Sequence, residues 1–406
     1  MLVFTIDLAC DMELKVNGPK NYEPYAYLQK LCKEGASARW TVITEGVQQR
    51  LDYELENIHK KDLDSFFLIL RDSVQYAKSR DIFVGPGRGS LPSSAVAYSL
   101  GITDVDPFKY DLLFERYLAS WMTSIEEWID IEPSRHREVF DYAKEKYSWC
   151  SPKLKISVSH DENCIADMYE VDMIGKLLRN IRIRTGKSVD LNAIDYSDPL
   201  VFDCIGKGYL NESSLFSGYG IDNYVLGKTL NSMDDLIACI CLEPDRLKAW
   251  ANNEMVEPYV KACAVNKESI IDSQKFKDIT KNTQGLLIYQ EQIIRIFEDI
   301  GGFSPEQANE ARRALGKMSM IEDYRIKFIH GCKEKGISGC LALGLTEDVG
   351  EEIYTVTSNM ARYCFNKSHA AAMAKLIYLF VWLKHYYPLD VKMVIQECYE
   401  GRISDA

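Results

Sequence analysis

Apolar residues recur three and four apart through most of the chain, the period of helices with one buried face. In "YAYLQKLCKEGASARW" and "VQQRLDYELENIHKK" this spacing predicts helices across residues 24–80, after a loop at "VNGPKNYEP". The pattern then changes. Ile82, Phe83 and Val84 read as a short strand entering a glycine-rich turn at 85–90, with a helix from about Ser93. "TSIEEWIDIE" reads as a strand ended by Pro133, with Ser134 placed to cap a helix through Tyr147. "LKISVSH" alternates and makes another strand, and "CIADMYEVDMIGKLL" reads as a strand turning into a helix. From about Asp198 onward nearly everything is helical in period, broken by Gly and Pro. The fold class that results is α+β: a mixed centre followed by a large helical region.

Composition narrows this picture. A chain of 406 residues exceeds what one core usually accommodates, so two or three domains are expected. The most lipid-like run, "LIYLFVWL" at 376–383, is too short to span a bilayer and reads as a buried helix, so no membrane partner is expected. The N-terminus lacks the basic lead of a secretory leader. The 12 cysteines are scattered without a CxxC pair, and the six histidines have no zinc-finger spacing. Reduced thiols in a cytoplasmic protein without structural zinc are the expectation. A net charge of −12 argues against a generic nucleic-acid coat. One tract departs from the acidic background: residues 359–388 hold Arg362, Lys367, Lys375 and Lys384 and no acid.

The chemistry is carried by a turn and by carboxylates. "FVGPGRGSLPSS" (83–94) has the glycines, arginine and serines of a turn that can hold phosphate. In "WIDIE", Asp130 and Glu132 stand two apart, so on a strand both project from one face. A hard divalent cation such as magnesium is one way to stabilise such a pair; a solvated acidic face is the other. "ITDVDP" has the same spacing at Asp104 and Asp106 and reads as a turn before Pro107. Asp172 is either a third ligand from a neighbouring strand or a helix N-cap before "MIGKLL". Spacing alone does not choose.

The order of short motifs goes further. "VGPGRGS" followed by "VAYSLGITDVDPFKYDLLFERYL" (84–118), then "GLLIYQEQ" (285–292), "ARRALGK" (311–317) and "FNKSHAAA" (365–372), resembles the catalytic region of the bacterial replicative DNA polymerase III alpha subunit, family C. The resemblance covers most of residues 25–395. It implies a polymerase-beta-like nucleotidyltransferase palm with a large, mostly helical fingers domain. By that parallel residues 1–60 form a helical lead-in, 61–190 the palm, 191–395 the fingers and 396–406 a tail. The family's three metal-binding acids fall on Asp130, Glu132 and Asp172, which would hold two Mg2+ ions, with Mn2+ as a substitute. Gly87, Arg88, Gly89 and Ser90 would meet the triphosphate of an incoming dNTP. Arg312, Arg313 and Lys317 would contact that nucleotide from the fingers, with Asn366, Lys367 and His369 suited to phosphate or base. Tyr289 would pack against a base; read without the family, it is core, the Arg313–Lys317 face is a solvated one and His369 is structural.

Departures from the family pattern carry their own expectations. The family's D-x-D is D-x-E here, with Trp128 where another Asp often stands; Glu170 replaces a lysine, and "RPGP" appears as "EPDR" (243–246). The preceding PHP domain and the following clamp-binding and OB-type regions are not found, and Glu132 to Asp172 is too short for a full thumb. The expected activity is metal-dependent addition of dNTPs to a primer 3′-hydroxyl on template DNA. Alternatives are template-independent nucleotidyl transfer and a degenerate nucleic-acid-binding replication factor. So pared-down a version suits a phage, and separate accessory proteins (thumb, clamp or single-strand-binding) would supply grip on DNA.

Overall fold

Leu2, Phe4 and Ile6 lie on one face of a strand and are fully buried, so the expected helical lead-in over residues 1–60 opens instead with β1 (Leu2–Asp7). The computed structural model describes residues 1–8, 23–119, 121–148, 150–158, 165–208, 230–242 and 271–404. Strand β1 is the centre of a three-stranded antiparallel sheet of order β2-β1-β3. β2 (Ser124–Ile129) pairs along it from Leu2↔Ile129 to Asp7↔Ser124, and β3 (Leu154–Val158) from Leu2↔Val158 to Ile6↔Leu154. An N-terminal strand thus joins two strands more than a hundred residues later, a pairing that no local pattern announces.

Helices α1 (Pro24–Arg39), α2 (Glu45–Lys60), α3 (Asp64–Ser79), α4 (Ala95–Ser99) and α5 (His136–Tyr147) share one apolar core with the sheet, among them Phe66, Phe67, Ile69 and Val139. A second core gathers α6 (Ile165–Thr185), α7 (Pro199–Gly206), α8 (Met233–Cys241), α14 (Lys367–Tyr386) and α15 (Pro388–Ser404). The third holds α9 (Gln274–Thr280), α10 (Gln290–Arg295), α11 (Pro305–Gly316), α12 (Ile321–His330) and α13 (Glu347–Met360), centred on Phe297, Phe328 and Tyr354. The lipid-like run falls inside α14 and is almost wholly buried there, as expected. Among the described residues no helix is long and apolar enough to cross a membrane. The described cysteines are free thiols.

Residues 83–85 form the seam between the first two cores. Val84 bridges Ile131 and packs in the core of the sheet, while the next residue back, Phe83, belongs to the second core. Backbone bonds from Glu132 N to Phe83 O (3.0 Å) and from Gly85 N to Asp130 O (2.7 Å) hold the glycine loop beside the acids. The α+β class is borne out.

Several local expectations are corrected. Residues 165–185 are helical throughout, so Asp172 lies within α6, neither on a strand nor at an N-cap. Val171, Ile174, Leu177 and Ile181, spaced three and four apart, bury that helix in the second core. Ser134 does not cap α5: Arg135 precedes that helix without a side-chain cap, and Ser134 bonds to the acids instead. The described part of the interval from Glu132 to Asp172 holds α5, the edge strand β3 and the start of α6. "EPDR" lies outside the described residues.

The basic tract is not an open cleft. Lys367 is buried over the Tyr289 ring, Lys375 binds the Asp104 carbonyl and Lys384 is half-buried, which leaves Arg362 as its exposed cation.

Candidate functional site

Four elements meet at the glycine loop. Gly87 (φ +140°) and Gly89 (φ +63°) take backbone angles that a side chain resists. At Gly87 a Cβ would lie 2.7 Å from Pro92 Cγ, whereas at Gly89 it would meet nothing within 4 Å. Gly89 is therefore favoured by conformation, and the space where its side chain would stand is open. The loop docks on the N-terminus of α14: Ser368 Oγ donates to Gly89 O (2.8 Å), and Gly89 N donates to His369 Nδ1 (3.2 Å). Asn366 caps that helix through Ser368 N (3.1 Å). From the other side Arg116 reaches Ser90 Oγ (3.3 Å) and Gln290 Oε1 (2.8 Å). Arg312, on α11, donates to the same Gln290 oxygen (3.1 Å) and to Asn309 Oδ1 (2.9 Å).

Arg116 and Arg312 thus share one neutral amide oxygen. Burial works against the charge of both, and at Arg312 the neighbouring Arg116 adds to it, pulling the pKa down to about 9. A guanidinium keeps its proton, so this cost marks a place where an anion would be welcome. A cavity of about 400 Å³ opens beside the loop, lined by Arg88, Gly89, Ser90, Trp128, Asn366 and His369. That size suits a nucleotide.

The expected nucleotide residues divide. Gly87, Arg88, Gly89, Ser90, Arg312, Asn366 and His369 come together. Arg313 turns away and stacks over the Trp121 ring at 3.7 Å, and Lys317 sits exposed where α11 ends. Lys367 lies under the site, its backbone N–H donating to Glu291 Oε2 (3.1 Å), and the buried Tyr289 belongs to the core. Sequence reasoning missed Arg116 and Gln290 as site residues, although both stand inside its quoted motifs.

Asp130 and Glu132 follow the end of β2 on either side of Ile131, and with Asp172 they do not form a metal cluster. Arg88 Nε spans both oxygens of the buried Asp130 (2.9 and 3.2 Å). Glu132, fully buried, receives both terminal nitrogens of Arg179 (one at 2.7 Å), Ser134 Oγ (3.0 Å) and Phe83 N (3.3 Å). Asp172 pairs with Lys176 (2.6 Å) and accepts from Ser134 N (3.0 Å). Burial tends to raise the Asp172 pKa, but Lys176 and Ser134 outweigh it and hold the carboxyl below its usual value. Among the described residues no group of three acid, His or Cys side chains could hold a metal ion. The donor types suit magnesium; the arrangement does not fit it, because each carboxylate already has a protein cation. Glu170, on the same helix, is fully buried.

Beyond Glu132 a second cavity of about 390 Å³ is walled by Arg39, Lys78, Asp81, Asp104, Arg179 and Arg182. Its charges are largely paired among themselves, Arg39 with Asp104 (2.7 Å) and Arg182 with Asp81 (2.8 Å).

Two family models match the chain: the bacterial DNA polymerase III alpha NTPase domain over residues 26–157, and the finger domain of the same subunit over 170–336. Among curated proteins, the DNA polymerase III subunit alpha of Treponema pallidum is 24% identical across 90% of this chain and 40% of its own length. That of Helicobacter pylori is 26% identical across 90% and 40%, and that of Ureaplasma parvum 24% across 91% and 49%. The chain spans less than half the length of each of these relatives.

Proposed function

Because the chain belongs to the bacterial DNA polymerase III alpha family, we propose that it acts as the core of a template-directed DNA polymerase. Its substrates would be dNTPs and primer–template DNA. The sheet with its surrounding helices serves as a polymerase-beta-like palm, enlarged by β1 at its centre, and the helical region from about residue 191 serves as fingers. One observation carries this reading: the glycine loop and the N-terminus of α14 line one nucleotide-sized cavity, and Arg116 and Arg312 are tied to that loop through Ser90 and Gln290.

Phosphoryl transfer gains most from positioning and charge neutralisation. The open space beside Gly89 leaves room for a triphosphate, and Ser90 offers a hydroxyl. Arg88, Arg116 and Arg312 bring fixed, planar donors from three parts of the chain. The N-terminal end of the 20-residue α14 adds its dipole and His369. Polymerases of this family generally use divalent metal ions. Accessory proteins would supply grip on DNA.

The ion pairing of all three acids favours one other reading, nucleotide and DNA binding without incorporation. Primer extension with each dNTP, with and without template and with Mg2+ or Mn2+, separates the two. Template-dependent incorporation supports the polymerase. Binding without incorporation supports the second reading, and untemplated addition would contradict both.

A further inference from the structure

We infer that the carboxylates of Asp130, Glu132 and Asp172 are neutralised by Arg88, Arg179 and Lys176 rather than by divalent ions, and that Glu132 is the anchor locking α6 to the glycine-loop strand. The inference concerns the charge balance of the site and holds whether or not a nucleotide binds there.

The argument begins with the lone pairs. An ionised carboxylate offers about four acceptor sites. Glu132 fills that number from within the protein, with two N–H groups of Arg179, the Ser134 hydroxyl and the Phe83 backbone amide. It is fully buried, and α6 covers it: a Cβ on Gly175 would lie 2.4 Å from Glu132 Oε2. The missing side chain is what admits the carboxylate. Gly175 stands between Lys176 and Asp172 on one helix, and Arg179 follows one turn after it, so the element that covers Glu132 also carries its counter-cation. Lys176 pairs with Asp172 four residues back, the spacing of neighbours on a helix face. Ser134 joins the two acids, its hydroxyl on Glu132 and its amide on Asp172. Asp130, the remaining acid, holds Arg88 across both oxygens and lies against Gly85, where a Cβ would come within 2.9 Å of its own Cβ. A metal ion at these acids would have to displace the Arg88, Arg179 and Lys176 cations, of which Arg88 is nearly buried and the other two are partly exposed.

Two measurements on the full chain test this. In an electron paramagnetic resonance titration with Mn2+, wild type, D130N and E132Q should bind the ion equally, within about twofold. Thermal melting should show R179Q well below wild type, because it strands a buried carboxylate. E132Q/R179Q should melt closer to wild type than R179Q, because removing the stranded charge relieves that cost. Mn2+ binding at least tenfold tighter in wild type than in E132Q or D130N would overturn the inference, as would an R179Q protein that melts like wild type. If R179Q does not fold, the Mn2+ comparison still decides.

Discussion

Arg312 holds a positive charge where burial and the Arg116 guanidinium both oppose it. Its removal should therefore affect stability and binding differently. Arg312→Ala should leave the melting temperature unchanged or slightly raised. It should weaken dNTP binding by roughly 10- to 150-fold, since a hydrogen bond to a charged group is worth about 1.5–3 kcal/mol. Equal loss of stability and affinity would make Arg312 a structural residue. Glu127 sits on the wall of the same cavity, buried in β2, and burial pushes its pKa up to about 8, with Glu126 adding to the rise and Tyr117 opposing it. A carboxyl whose folded pKa exceeds its unfolded value costs stability as pH rises from about 4.5, and the loss levels off above about 8. Melting curves of Glu127→Gln and wild type should thus be similar near pH 4 and diverge up to pH 8, with the variant the more stable. A constant difference across that range would contradict the assignment.

Helix α6 shows what local sequence could and could not tell. Its apolar spacing was legible; its start was not, because "YEV" suits a strand as well as a helix until the second core buries it. Motif order made the loop, Asn366 and His369 legible as one site. Arg179 and Lys176 were invisible as partners because their acids lie on other elements, or inside a helix whose bounds were misplaced. The same holds for β1, whose two partners come more than a hundred residues later. Gly175 turns this into a test with a definite sign. In an ordinary helix interior Gly→Ala stabilises by about 1 kcal/mol. At position 175 the new methyl meets the Glu132 carboxylate at 2.4 Å, so Gly175→Ala should destabilise. Chemical denaturation reads this directly, and a more stable variant would mean that α6 does not rest on Glu132.

Charge governs how the protein meets DNA as a body. The net charge of −12 repels a polyanion at long range, and the acid-free tract keeps two of its four lysines and arginines, Lys367 and Lys375, tied up inside the fold. With Arg362 and Lys384 as the remaining contacts, DNA affinity should fall by about one decade between 50 and 200 mM salt, from a slope near −0.9 per neutralised phosphate. Primer extension under single-encounter conditions with a heparin trap should yield only short products from the isolated chain. Products hundreds of nucleotides long, or a fall of several decades, would mean that another surface grips the duplex. The central claim, that cations from three distant stretches build one triphosphate site, is tested most directly by calorimetric titration of dAMP, dADP and dATP into the chain with primer–template DNA. Affinity should climb with each phosphate, dATP binding at least about tenfold more tightly than dAMP, as one added charged hydrogen bond requires. Equal affinities across the three nucleotides, or no binding of dATP, would contradict it.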